Sequence, residues 1–200
     1  MNKKEIIRYL QSIIAIPMLA IAVPFTGMSS IPSLTVLNNT PTDENSVIIT
    51  QEEVARNEQA ELEAGRKEKA EAIDAYFAKY DTPLAGHGMK FVIEAEKNDI
   101  DWRLLPAIAM RESTGGIHAC KRVSNSVFGY GSCKMSFNSI DDSIEIVAHS
   151  LGGNNPSTAR HYDNKTTLGI LRKYNSVIPS YPKQVTKIMK KISDDGNEII

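Results

Sequence analysis

The sequence has few aromatic residues, two cysteines and no segment that alternates apolar and polar residues over the length of a strand. Aromatics make up 6% and hydrophobic residues 42% of the 200 residues, which is enough for one modest globular domain with appendages. The missing strand pattern predicts a mainly α-helical fold. The chain also lacks a glycine-rich nucleotide loop and a basic tract interleaved with aromatics, so we predict no nucleic-acid partner and no nucleotide cofactor.

The charge of the chain is nearly balanced overall but is unevenly distributed. The formal net charge is −1, yet residues 73–193 hold sixteen bases and eleven acids, whereas residues 51–72 hold four bases and seven acids. A mildly basic folded region suits an anionic polymer as a partner. Ordinary surface variation explains the same excess equally well.

The N-terminal residues have the pattern of a targeting segment. In residues 1–30 three basic residues precede a short apolar run that two prolines interrupt, which predicts a signal peptide or an N-terminal membrane anchor. Cleavage is favoured because the run is short for a spanning helix, and the missing A-x-A site leaves a retained anchor open. Residues 31–49 are rich in small polar residues and proline and are predicted to be a flexible linker.

Three further segments follow the linker. Residues 50–72 are predicted to form a charged spacer helix, because Thr50 and Glu53 make a capping box and apolar residues are too sparse for a buried face. The folded domain is predicted to span residues 73–193. Residues 194–200 are predicted to be an acidic tail.

Glu112 stands out because it is a lone carboxylate at the end of an apolar helix. Apolar residues recur before it at helical spacing, and Gly115 and Gly116 follow where the chain must turn. Partial burial of such a side chain favours its protonated form. A protonated carboxyl group is what a general acid needs. The helical residues that carry this pattern are Leu104, Leu105, Ile108 and Ala109.

Cys120 and Cys133 bracket a polar, glycine-containing loop. In an exported chain, two cysteines thirteen positions apart are most simply explained by a disulfide, and two buried free thiols are the alternative. A cysteine nucleophile paired with His118 is disfavoured because no orienting Asn or Asp is evident. The two cysteines and His118 are too few for a zinc site, so we predict no bound metal.

Several motifs occur in a fixed order: Glu112-Ser113-Thr114-Gly115-Gly116, then Asn125-x-x-Phe128-Gly129, then Phe137-Asn138-Ser139-Ile140-Asp141-Asp142-Ser143-Ile144. Together they resemble the motifs of the bacterial glucosaminidase family. The later pair Tyr174-Asn175 resembles the Tyr-Asn pair of soluble lytic transglycosylases, which share the lysozyme-like fold. The resemblance covers roughly residues 73–192.

The resemblance implies a lysozyme-like helical domain with a small lobe, either a loop or a hairpin, closed by the disulfide. It implies a monomer that acts on peptidoglycan glycan strands without a cofactor. Glu112 would be the general acid and base, and Tyr174 would orient the N-acetyl group or stabilise positive charge, although a core tyrosine explains Tyr174 as well. The implied substrate-binding residues are Ser113, Asn125, Phe128, Gly129, Tyr130 and Asn175.

Two of these residues have distinct interpretations. Phe128 is better explained as a hydrophobic plug that anchors the loop to the core. Tyr130, which lies between two glycines, is the better candidate for stacking on a sugar ring.

The reaction type depends on a missing second acid. No Asp or Glu occurs from Ser113 through Ile140, although the family often places its second carboxylate there. Glycosidases generally use two carboxylates, so the sequence favours a single-carboxylate reaction, either lytic transglycosylation or a route assisted by the substrate's N-acetyl group. The alternative is a catalytically inactive module for binding or assembling cell wall. Either protein is expected to be exported, as a secreted, periplasmic or anchored form, with membrane contact only through its N-terminal segment.

Overall fold

The computed structural model describes residues 51–197, with side chains described up to Asp194, and within this range the regular elements are helices joined by turns and loops, with no strand. The mainly helical class is therefore confirmed. The predicted segments 1–30 and 31–49 lie outside the described residues. The helices are α1 (Gln51–Lys79), α2 (Gly88–Lys97), α3 (Leu104–Ser113), α4 (Tyr130–Cys133), α5 (Ile140–Leu151), α6 (Ala159–Tyr162), α7 (Thr167–Tyr174) and α8 (Tyr181–Asn197).

The predicted spacer helix and the first domain helix are one continuous helix. Between residues 51 and 79 the chain is rich in Ala, Glu and Lys and contains no proline, so nothing interrupts α1 at the predicted boundary near residue 73. Burial begins at Ala70, and upstream of it Arg66 Nε donates to Glu96 Oε2 at 2.7 Å. Docking of α1 onto α2 therefore starts within the segment predicted to be solvated.

We expect a chain that begins at Gly65 to melt cooperatively at nearly the temperature of the full chain. It keeps Arg66, Ala70 and Ala72, whereas a chain that begins at Ile73 loses them and should be less stable by about 1–3 kcal/mol. Thermal unfolding followed by circular dichroism compares the two. Equal melting temperatures would show that the contacts of residues 66–72 contribute nothing.

Helix α3 is the centre of the domain. Leu104, Leu105, Ile108 and the two alanines at 107 and 109 are fully buried, and α8 packs against α3 while also contacting α1. Such a helix stays in place because its apolar side chains are covered on most sides. It thereby fixes the position of its last turn, where Glu112 lies.

Side-chain caps mark the starts of two helices. Ser139 Oγ accepts the backbone N–H of Asp142 at 3.0 Å at the start of α5, and Thr166 caps α7 in the same way through Gly169. The helix α8 continues to Asn197, so residues 194–197 of the predicted acidic tail are helical. None of the helices within residues 51–197 combines the length and the apolar character that a bilayer crossing requires.

Three residues that fit the apolar stripe of a helix are nevertheless exposed. Tyr80, Met89 and Leu168 are 38%, 40% and 45% exposed. In α2 the inward face is set by Phe91, which is fully buried and contacts Phe77 with ring centroids 5.9 Å apart. Packing against α1, rather than the spacing of apolar residues alone, determines which face of α2 is buried.

The segment between α3 and α5 is a loop lobe that contains α4 and no hairpin. A disulfide joins Cys120 and Cys133, whose Cα atoms are 5.7 Å apart, which confirms the predicted pair. Of the two predicted forms of the lobe, the loop is the one present. The loop carries Gly129, Tyr130 and Gly131 into the neighbourhood of Glu112.

Candidate active site

Glu112 is exposed on one side because α3 ends one residue after it. Thr114, Gly115 and Gly116 have φ angles of 52°, 63° and 98°, a left-handed turn that glycine tolerates best. Ser113 supports this turn, since its hydroxyl donates to the Ala109 carbonyl and accepts the Gly116 N–H at 2.9 Å. The chain turns away, and the half-buried Glu112 remains at the edge of the core.

Tyr181 holds one oxygen of the Glu112 carboxylate. The Tyr181 hydroxyl donates a hydrogen bond of 2.7 Å to Glu112 Oε1, and the two residues are 69 positions apart in the sequence. Tyr181 is fully buried as the first residue of α8, and the Arg111 guanidinium lies 5.9 Å from the centre of its ring. The packing of α8 on α3 therefore fixes the direction of the carboxylate.

Tyr174 links the carboxylate neighbourhood to the loop lobe. Its hydroxyl donates to the backbone carbonyl of Phe128 at 2.6 Å. Its ring stacks on that of Tyr181, with centroids 6.1 Å apart and planes inclined by 13°, and lies 6.5 Å from the ring of Tyr130. One side chain thus contacts α8 and the loop that follows Phe128.

The second oxygen of Glu112 is next to the backbone of the loop lobe. Gly129 has φ 62°, and a β-carbon there would lie 3.5 Å from Glu112 Oε2. Glycine is favoured here by the left-handed turn, whereas a β-carbon would only come into ordinary van der Waals contact with the carboxylate. The result is a carboxylate with Oε1 anchored by a phenol and Oε2 beside the glycine loop.

A cleft of about 280 Å³ opens in front of this carboxylate. Its walls come from the end of α3, from α4 and the glycine before it, from α6, and from the end of α7. The lining residues are Glu112, Gly129, Tyr130, Gly131, Ser132, Tyr162, Tyr174 and Asn175. Glu112 is the one carboxylate among these eight lining residues.

Tyr162, Tyr174 and Tyr181 keep their protons. Burial, followed by the hydrogen bond to Glu112, raises the pKa of Tyr181 far above its usual range. Burial and then the negative charge of Glu112 raise the pKa of Tyr174, and burial raises the pKa of Tyr162 to about 12. These phenols are therefore hydrogen-bond donors at neutral pH.

The structure brings together five of the eight residues predicted for catalysis and binding. Glu112, Tyr174, Gly129, Tyr130 and Asn175 all line the cleft. The Asn175 side chain also accepts the backbone N–H groups of residues 177 and 178, which shapes the turn into α8. Their roles toward a substrate remain predictions.

The other three predicted residues, Ser113, Asn125 and Phe128, lie outside the cleft lining. Ser113 holds the turn after Glu112, and Asn125 Nδ2 donates to the Phe137 carbonyl at 2.9 Å, which joins two parts of the loop lobe. Phe128 is 1% exposed and its ring lies edge-on to Phe91, as expected of a hydrophobic plug. Each of the three supports the loop that carries the cleft.

Sequence reasoning missed Tyr181, Tyr162, Gly131 and Ser132. The sequence contains a signal for the tyrosines, because four of its seven, at 130, 162, 174 and 181, fall after Glu112 in a chain poor in aromatics. Their spacing in the sequence follows no helical period, so it did not indicate that Tyr162 and Tyr181 lie at the site. Gly131 and Ser132 carried no such signal.

Other carboxylates near in sequence are engaged elsewhere. Asp141 pairs with His87 Nδ1 at 2.7 Å, Asp142 accepts from Asn138, and Glu145 pairs with Lys90 at 2.7 Å. Among the residues whose side chains are described, no three His, Cys, Asp or Glu residues are grouped so as to hold a metal ion. The chemistry available in the cleft is thus that of one carboxylate and several phenols.

The fold and the site together define a helical domain with a tyrosine-lined carboxylate cleft beside a disulfide-closed loop. Comparison of the chain with protein-family models, with curated proteins and with solved structures found no match.

Proposed function

We propose that this protein is an exported peptidoglycan glycosidase that cleaves the glycan backbone between N-acetylated amino sugars. Glu112 is the proposed general acid and base. The observation that carries the proposal is the arrangement of its carboxylate, with Oε1 held by the Tyr181 hydroxyl at 2.7 Å and Oε2 beside Gly129 in the cleft. The motif resemblance noted above supplies the substrate class.

The proposed reaction begins with proton transfer from Glu112. Protonated at Oε2, Glu112 gives its proton to the glycosidic oxygen while the bond from that oxygen to the anomeric carbon breaks. The hydrogen bond from Tyr181 to Oε1 persists, and it stabilises the carboxylate that forms. A hydrogen bond already in place before the reaction needs no reorganisation during it.

The second step uses the same carboxylate as a base. In lytic transglycosylation, the sugar's own C6 hydroxyl attacks the anomeric carbon and its proton returns to Glu112. In the substrate-assisted route, the N-acetyl oxygen forms the first bond to that carbon, and a water molecule activated by Glu112 completes hydrolysis. Both routes fit a cleft lining with one carboxylate, because neither needs a protein nucleophile.

Tyr174 is proposed to position the loop and to contact the N-acetyl group. Its proton is committed to the Phe128 carbonyl, so its oxygen can act as an acceptor for the N–H of that group. Tyr130, whose ring lies 6.5 Å from that of Tyr174, is proposed to stack on the sugar ring.

Export is supported by the disulfide, since such bonds persist in oxidising compartments. The basic and apolar pattern of residues 1–30 is the other support for it. Whether this segment is cleaved or retained as an anchor decides between a secreted protein and one held at the outer face of the membrane.

Mass spectrometry of purified peptidoglycan digested by the protein tests the proposal. Transglycosylation yields 1,6-anhydro products that are lighter by one water than the hydrolytic products, so the masses also identify the route. Intact glycan strands after prolonged digestion, with the protein still bound to them, would favour the binding module instead.

Tyr181→Phe should lower kcat by roughly 10- to 100-fold, because a hydrogen bond to a charged group contributes about 1.5–3 kcal/mol. The phenylalanine ring preserves the stack on Tyr174, so the fold is expected to survive. Tyr80→Phe is the matched control, since Tyr80 is 38% exposed and is not part of the cleft lining. Equal kcat values for the two variants would contradict a role for the Tyr181 hydroxyl.

A further inference from the structure

A group of basic residues lies beside the cleft, on the side formed by α6 and α7. Residues 159–174 contain four bases and one acid. Tyr162 and Tyr174, which line the cleft, belong to the same two helices. We call Arg160, Lys165 and Lys173 the basic rim.

His161 connects the basic rim to the cleft lining through Arg160 and Tyr162. His161 is next to Tyr162, with ring centroids 6.4 Å apart, and Arg160 Nε donates to His161 Nε2 at 3.1 Å. Slight desolvation and then the charges of Lys173, Arg160 and Lys165 lower the pKa of His161. Arg160 and Lys173 lie on the two helices that contribute Tyr162 and Tyr174 to the cleft, and Lys165 lies between these helices.

The charges of the basic rim are not neutralised by ion pairs within the part of the chain that the structure describes. The ion pairs there use bases on α1, α2 and the residues before α3, together with His87, and none includes a member of the basic rim. Asp163 is the acid within residues 159–174, and its side chain or backbone is itself engaged in an interaction. The stretch 159–174 still carries a net excess of three positive charges.

The cleft is too small to enclose a polymer. At about 280 Å³ it is at the lower limit of ligand pockets, so it holds a short part of a glycan and leaves the substituents outside. Substituents that leave the cleft past Tyr162 and Tyr174 would meet α6, α7 and the residues between them, which include the basic rim. Anionic groups there would be attracted by several charges at once.

We infer that the basic rim binds anionic groups, carboxylates or phosphates, carried by the polymer whose sugar occupies the cleft. The inference rests on the proposed function for the identity of that polymer. Such a rim would make the protein selective for charged wall polymers over neutral N-acetylated glycans. The two sources of charge are peptide carboxylates attached to the glycan and phosphate polymers linked to it.

Binding to insoluble polymers tests the inference without requiring cleavage. Each protein carries Glu112→Gln, and the fraction that sediments with an insoluble polymer measures its binding. The first two polymers are peptidoglycan with free carboxylates and no phosphate polymer, and the same material with its carboxylates amidated. The other two are peptidoglycan that retains phosphate polymers, and chitin. The rim variant is Arg160→Gln with Lys165→Gln and Lys173→Gln. The control variant is Lys67→Gln with Lys187→Gln and Lys190→Gln, three exposed residues outside the rim with the same total charge change.

We expect the rim variant to bind carboxylated peptidoglycan on the order of tenfold more weakly than the control variant, and to bind chitin equally well. If carboxylates are the ligand, amidation of the peptidoglycan should weaken the binding of the control variant to the level of the rim variant. If phosphates are the ligand, the difference should appear only on the phosphate-bearing material. Added salt should reduce the difference.

Equal binding of the two variants to every anionic polymer, or failure of both to bind any of them, would overturn the inference. The proposed function is judged separately, by cleavage of neutral N-acetylglucosamine oligomers with Glu112 intact. Cleavage of these oligomers with no rim effect refutes the inference alone. A rim effect without cleavage supports the anionic site and refutes the glycosidase.

Discussion

Replacing Glu112 by glutamine should reduce the cleavage rate by about 10²–10⁴-fold while leaving the fold and glycan binding intact. Loss of a general acid typically removes this much rate, equivalent to roughly 3–5 kcal/mol of barrier. Glutamine keeps the shape of the side chain and an oxygen that can accept the hydrogen bond from Tyr181. It cannot give a proton to the glycosidic oxygen. Rates of product release from peptidoglycan, measured alongside thermal melting, check the prediction.

Glu145→Gln is the matched control for this substitution. Glu145 lies on α5, pairs with Lys90 at 2.7 Å and is not part of the cleft lining. Its loss should change the rate by far less than the loss of Glu112. Wild-type rates in Glu112→Gln would end the assignment of the reaction to this cleft.

The Glu112 variant also separates the two functional hypotheses. A catalytically inactive wall-binding module would bind glycan equally well with glutamic acid or glutamine at this position, and neither form would release products. An enzyme would bind in both forms and release products only in the first. Binding and product release measured on the same preparations therefore decide between them.

Replacing both Cys120 and Cys133 by serine should lower the free energy of unfolding by about 3 kcal/mol. A cross-link across thirteen positions restricts the unfolded chain by this amount in the chain-entropy model. The melting temperature should fall by roughly 6–12 °C for a domain of this size. Activity should fall further than stability alone requires, because Gly129, Gly131 and Ser132, all with positive φ, lie in the loop that the disulfide closes.

A reducing agent provides the control for the disulfide. It should move the melting temperature of the wild-type protein toward that of the double variant and leave the double variant unchanged. A double variant with the melting temperature of the wild-type protein would show that the disulfide contributes nothing to the stability of the domain. Glycan cleavage measured below both melting temperatures isolates the effect on the cleft.

The helices were predictable where local sequence decides the outcome. The capping residues Ser139 and Thr166 and the apolar spacing of α3 specified helices near their observed bounds, because caps and periodicity act over a few residues. The boundary near residue 73 was not predictable in this way. Continuity of α1 follows from its composition, but the point at which it becomes buried depends on contacts with Glu96 in α2.

The inward faces of short helices were less predictable. Met89 and Leu168 are apolar and fit a helical stripe, yet they are exposed because the neighbouring helices cover other faces. In a short helix the spacing of two or three apolar residues is compatible with more than one buried face. The packing partners then decide which one is covered.

The sequence by itself determined that a lone carboxylate ends a buried helix, that glycines follow it, and that two cysteines bracket the next loop. Local rules and side-chain chemistry are enough for each of these. Only the tertiary structure decided that Tyr181 would hold Glu112 Oε1 and that Tyr174 would reach the Phe128 carbonyl. Those contacts join residues 69 and 46 positions apart. They form because α7 and α8 pack back onto α3 and the loop that follows it. The periodicity within each segment does not predict that packing.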